Sequence, residues 1–261
     1  MANEAKPCPC DLGDRMEYGG LGREVQAEAG PSSASHRAEA GPSSASHRAE
    51  AGPSSASHRA VVLIHDIYGW RLPNTRYIAD MLAANGYIVV CPDFYVGKDP
   101  WSPTSDWSRF QEWLEDKKPT GINREVDAVL RFLKEQCGAS LIGSVGFCWG
   151  GVAVHHLALD YPEIKAGVSV YGIIRETEHC FDLKSPLLFI FAEKDTVVPL
   201  EQVSVLEAGL KEKCTVDYRV KIFPGQSHGF VHRKREDINP ADQPLVQEAR
   251  SDMLSWLNTY M

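Results

Sequence analysis

Residues 146–151, Gly-Phe-Cys-Trp-Gly-Gly, constrain the fold of this chain more than any other stretch. The apolar run 141–147 leads straight into a glycine-flanked cysteine and then into a helical stretch over 152–159. Glycines on both sides of Cys148 permit a turn tight enough to lift its side chain off the backbone, a nucleophile elbow, and such a strand-to-helix turn sits at the top of an α/β sheet. The lifted group is a thiol, whose thiolate is the reactive nucleophile and is favoured by the free amides and dipole of a helix N-terminus.

The rest of the chain beyond residue 60 keeps the same rhythm. Apolar runs at 60–65, 87–91, 141–147, 166–171, 187–192 and 216–223 read as strands covered on both faces. Between and after them, 74–85, 123–136, 201–212 and 244–258 carry apolar residues at helical spacing, and Gly86 closes the first of these. Strand and helix in alternation predict an α/β fold, a mostly parallel, doubly wound sheet with helices on both faces. A chain of 261 residues fits one such domain.

Residues 27–37, 38–48 and 49–59 are identical copies of Ala-Glu-Ala-Gly-Pro-Ser-Ser-Ala-Ser-His-Arg. Alanine alone cannot stack repeat on repeat, and each copy holds a Gly-Pro breaker, so the block is expected to be disordered and to stand in place of an early strand. The organisation expected is a 1–26 segment of the hydrolase domain, the 27–59 insert, and a 60–261 catalytic domain. The Ser-His pairs of the repeat are given no catalytic weight.

Composition removes several classes of function. A net charge of −8 offers no electrostatic footprint for nucleic acid or an anionic membrane. No apolar stretch is long enough to span a bilayer, and the first residues lack a secretory core, so the expected compartment is the cytosol. Seven scattered cysteines suit reduced thiols better than a disulfide framework. His228 and His232, or Cys8 and Cys10, lack the further ligands a zinc site needs, so no metal is expected. The basic run at 233–235 is followed by Glu236 and Asp237 and reads as solvated surface. His155 and His156 read as packed or half-exposed residues. Trp101, Trp107 and Trp113 could cover a pocket or pack the core.

Reactive residues of such sheets gather beyond the carboxyl ends of the strands. Those loops hold, in turn, Asp66, Asp93, Cys148, Asp195 and His228. Cys148, Asp195 and His228 fall in the order nucleophile, acid, histidine of an α/β-hydrolase triad. His228, in the glycine-flanked 225–230 loop, would take the thiol proton, and Asp195 would hold its tautomer. Glu193 is the rival carboxylate but lies closer to its strand. The oxyanion hole would use the backbone amides of Trp149 and Ile67.

These residues, with Asp66-Ile67-Tyr68-Gly69, Cys91-Pro92-Asp93-Phe94-Tyr95 and Gly225-x-x-His228-Gly229-Phe230, resemble the dienelactone hydrolases. The resemblance implies a monomeric, cofactor-free cysteine hydrolase that opens lactones and activated esters through an acyl-thioester. It further implies that Asp66, a glutamate in bacterial members, contacts the resting thiol and helps to generate the thiolate. Bacterial members carry arginines where this chain has Gly97, followed by Lys98, and His232, followed by Arg233, so dienelactone itself is not the expected substrate. The second reading is a non-catalytic α/β-hydrolase scaffold, impaired by the repeat; a cysteine peptidase would need an extended-peptide cleft that no motif suggests.

Overall fold

Runs rich in Val, Ile and Leu become strands here because both faces of the sheet are covered. A computed structural model of the chain describes residues 23–26, 45–49, 58–174, 178–233 and 240–261. In it β1 (Arg23–Gln26), β2 (Ala45–Ala49), β3 (Arg59–Ile64), β4 (Ile88–Pro92), β5 (Leu141–Phe147), β6 (Ile164–Val170), β7 (Leu187–Ala192) and β8 (Tyr218–Phe223) form one sheet. The strand order is β1-β2-β4-β3-β5-β6-β7-β8. Pairings from β4 through β8 are parallel, and β1 and β2 are added antiparallel at one edge.

The helices are α1 (Pro73–Ala84), α2 (Phe110–Asp116), α3 (Asn123–Glu135), α4 (Trp149–Asp160), α5 (Leu200–Lys213), the single turn α6 (Phe230–Arg233) and α7 (Gln243–Tyr260). Side chains alternate across a strand. Val62 and Ile64 of β3 therefore pack with Val126, Leu130, Leu157, Leu206 and Leu210 of α3, α4 and α5. Val61 and Leu63 face the other way, toward Ile78 and Leu82 of α1 and Met253 and Leu257 of α7. Two apolar layers thus clamp β5, whose residues beyond Leu141 are all buried, and hold the elbow at its end.

The structure corrects the reading of the repeat block at two places. Ala45–Ala49, in the second and third copies, is β2, with His47 opposite Cys91 and Arg48 opposite Val90 of β4. A strand is held in its ladder by main-chain hydrogen bonds, which need no apolar side chains, and Ala-Ser-His-Arg-Ala contains neither Gly nor Pro. The last two residues of the third copy also belong to the fold. Arg59 opens β3, donates to Asn258 Oδ1 at 3.0 Å and lies over Tyr87, while the His58 carbonyl accepts the Leu141 amide. The other residues of 27–57, and Cys8 and Cys10, lie outside the described residues. No described helix is long and apolar enough to cross a membrane.

Candidate active site

Cys148 occupies the bend between β5 and α4 with φ 56° and ψ −111°, a conformation that L residues rarely adopt. The turn tolerates this because backbone comes very close on both sides. A Cβ on Gly146 would overlap the Gly150 carbonyl, and one on Gly150 would overlap the Ile64 and His65 carbonyls. The Cys148 amide is anchored on the Val170 carbonyl at 2.9 Å. Helix α4 begins at Trp149, earlier than the apolar pattern suggests, since the Cys148 carbonyl already accepts the Val152 amide.

His228 lies in the loop between the edge strand β8 and α6. Its Nδ1 lies 2.7 Å from Asp195 Oδ2, and both side chains are almost wholly buried, at 2% and 0% exposure. Asp195 Oδ1 accepts the Val197 and Val198 amides at 2.8 and 2.9 Å, which fixes the carboxylate. Glu193, the rival, instead braces the turn by accepting the Gly225 amide at 2.7 Å. Burial alone would depress the imidazole, yet the charge and side chain of Cys148, with the Asp195 hydrogen bond, push its pKa up to about 9. His228 Nε2 makes no hydrogen bond of ordinary geometry, so Cys148 acts on it chiefly as a charge.

Ile67 and Trp149 are buried at the ends of β3 and β5, and neither amide donates to another described backbone group. The Trp149 indole stacks on His65 at 5.6 Å and donates to the Lys117 carbonyl, so the ring is fixed. Asp66 is fully buried. Its Oδ1 accepts the Tyr68 amide at 2.8 Å; its Oδ2 accepts from His232 Nε2 at 3.0 Å and Arg233 Nε at 2.8 Å. Burial opposes its charge, but Arg233 and His232 prevail and hold the carboxyl well below the usual range.

Arg233 is therefore no part of a solvated basic run: it is 2% exposed and paired. Its neighbours at 234–239 lie outside the described residues. Lys98 is the opposite case, an exposed side chain 3.0 Å from Asp116. Asp93 caps its own turn through the Tyr95 and Gly97 amides. His155 is buried, accepting from the Ile174 amide and bonded to the Cys180 carbonyl, and His156 bonds Asn123 and Asp160. Trp101 is buried, while Trp107, Phe110 and Trp113 are half-buried around it; Trp101 and Trp113 line a cleft of about 630 Å³.

Tyr171 was missed. It follows β6 with φ 42°, its ring lies 4.7 Å from that of His228, and its hydroxyl is 2.6 Å from His232 Nδ1. A visible signal existed, since a polar aromatic before Gly172 ends the one central strand whose following loop yielded no candidate.

The sequence profile of the dienelactone hydrolase family matches residues 48–261. The chain belongs to that family, and it is a hydrolase. It is 56% identical over 261 residues to the carboxymethylenebutenolidase homolog of Rattus norvegicus, covering 100% of both chains. The human homolog of the same name is 55% identical over 261 residues, again with 100% of both chains covered. Among solved structures, a dienelactone hydrolase-like promiscuous phosphotriesterase from metagenomic libraries shares the fold. It superposes with a TM-score of 0.68 at 19% identity, over 83% of this chain and 92% of that one.

Proposed function

We propose that the chain hydrolyses lactones, cyclic carbonate esters and activated esters through a Cys148 acyl-thioester, with His228 as base and acid and Asp195 as its orienting carboxylate. The observation that carries this reading is the Asp195–His228 bond of 2.7 Å between two buried side chains, with the imidazole raised to about 9 by Cys148 and Asp195. An imidazole so raised takes the thiol proton and leaves a thiolate–imidazolium pair. The thiolate attacks the carbonyl carbon, and the developing oxyanion is received by the Trp149 and Ile67 amides. Collapse breaks the ester bond, and the leaving oxygen takes the proton from His228. Neutral His228 then removes a proton from water, hydroxide adds to the thioester, and the acid departs with the thiolate restored.

Asp66 is the thiol-activating carboxylate in this reading. Its Oδ1, bonded to the Tyr68 amide, keeps a second lone pair. No cofactor enters any step. The enzyme works as a monomer in the cytosol, where a reduced thiol survives; Cys91, Cys137, Cys148, Cys180 and Cys214 form no disulfide among the described residues.

Hydrolysis of an activated aryl ester, with and without iodoacetamide, tests the proposal. Alkylation at Cys148 is expected to abolish turnover, and Cys148→Ala to lower kcat by on the order of 10⁴-fold or more. Full activity after stoichiometric alkylation of Cys148 would overturn it, whereas a folded protein inert to every activated ester would favour the scaffold reading.

A further inference from the structure

A chain of buried polar contacts backs the histidine, and of its members only Asp66 enters the chemistry above. The Tyr171 ring lies against the His228 imidazole, 4.7 Å between centroids and tilted by 53°. Its hydroxyl meets His232 Nδ1 at 2.6 Å; His232 Nε2 meets Asp66 Oδ2 at 3.0 Å, and Arg233 Nε donates to that same oxygen. Phe147, the residue before Cys148, stacks on the His232 ring at 4.3 Å. The proton positions follow from the partners. Ionised Asp66 can only accept, so His232 carries its hydrogen on Nε2, and its bare Nδ1 accepts the Tyr171 hydroxyl. Burial holds His232 in that neutral form.

The Tyr171 hydroxyl is thus tied to His232, and what Tyr171 brings to the imidazole is its aromatic ring. Tyr171 holds a left-handed φ of 42° while its amide donates to the Ile190 carbonyl at 2.7 Å. Such a conformation in a non-glycine residue persists only where its surroundings impose it. The groups facing His228 are Asp195 from the loop after β7, Cys148 from the elbow and Tyr171 from the end of β6. Asp66, His232 and Arg233 stand behind Tyr171.

We propose that Tyr171 and His232 are positioning residues for His228: the Tyr171 ring backs the imidazole and favours its cationic form, and the His232–Asp66–Arg233 chain fixes where that ring lies. This inference rests on the reading of Cys148 and His228 as nucleophile and base. An aromatic face at this distance stabilises a cation, and any gain for the imidazolium is a gain for the thiolate paired with it.

The test follows alkylation of Cys148 by iodoacetamide against pH, read by peptide mass spectrometry, together with the imidazole NMR titration of His228. Tyr171→Leu is expected to move thiolate formation up in pH, and the His228 midpoint down, each by ~0.5–1 unit, the size of a partly desolvated cation–π contact. Tyr171→Phe and His232→Leu keep an aromatic at 171 and are expected to give smaller shifts of the same sign. Their combination should do no more than either alone, since both cut one chain, and His232→Gln, with a donor and an acceptor, should restore the native midpoints. A merely structural loss would reduce the folded fraction and leave the midpoints in place. Folded variants with native midpoints, or additive shifts in the double variant, would overturn the inference; should Tyr171→Leu fail to fold, the Tyr171→Phe and His232→Leu pair decides. Native protein that keeps its esterase activity once Cys148 is alkylated would instead sink the proposed function.

Discussion

Asp66 remains charged against its own burial because Arg233 and His232 converge on one of its oxygens. Replacing it by asparagine takes from the buried Arg233 guanidinium the carboxylate that it meets at 2.8 Å, and breaking a buried pair in this way costs about 3–5 kcal/mol. The pH dependence has a definite sign. A carboxyl whose folded pKa lies below its ordinary 3.8 adds stability at higher pH and loses it as pH falls through and below that value. The stability gap between native protein and Asp66→Asn should therefore be widest near neutrality and narrow toward pH 3, as urea melts at the two pH values will show. A gap independent of pH would mean that the charge on Asp66 contributes nothing. At this scale the sequence pointed to a contact where chain order does. Asp195 could be preferred to Glu193 because it lies further out in its loop, and the structure bonds Asp195 to His228. Arg233 was misread because its partner lies 167 positions away, and local charge alternation says nothing of a contact at that range.

Secondary elements were legible where side chains are buried on a regular period. The elbow strand and its helix, α1, α3 and α7 all show such a period, with ends within three residues of where the apolar pattern placed them. The short α2 was missed because its half-buried aromatics present no continuous apolar stripe. Strand β2, next to the edge, was missed for a different reason, since main-chain pairing leaves no hydropathy signal. Its identity with neighbouring repeats makes it testable. Ala34–Ala38 has the same five residues as Ala45–Ala49, and the connection 27–44 is longer than one repeat. Deleting residues 38–48 is accordingly expected to leave Tm and esterase activity unchanged, because an identical segment takes the β2 register beside β4. A drop in Tm of more than a few degrees would show that the connection, as well as the strand, is needed.

Across the whole molecule the sheet separates support from chemistry. Cys148, Asp195 and His228 stand beyond β5, β7 and β8, whereas the repeat supplies β2 near the opposite edge, with β4 and β3 between it and the elbow. Parallel alternation made this half of the architecture predictable, and the antiparallel edge had no comparable pattern to reveal it. Removing residues 27–48 deletes two copies and leaves one Ala-Ser-His-Arg-Ala segment, the one that leads into β3. The main-chain groups of β4 at Val89–Pro92 then lose their β2 partners, and β1 loses the strand on which it rests. That loss is expected to cost ~2–4 kcal/mol of a total of about 5–15, lowering Tm by roughly 5–15 °C and exposing an edge prone to association. The kcat/KM of the folded fraction at 25 °C should stay within about threefold of native, because distant sites whose contacts are not shared act independently. Melting curves and esterase kinetics on the same preparation separate the two effects. A collapse of activity in protein still folded by circular dichroism would mean that the β2 edge reaches the site through β4, where Tyr95 packs edge-on against Trp149.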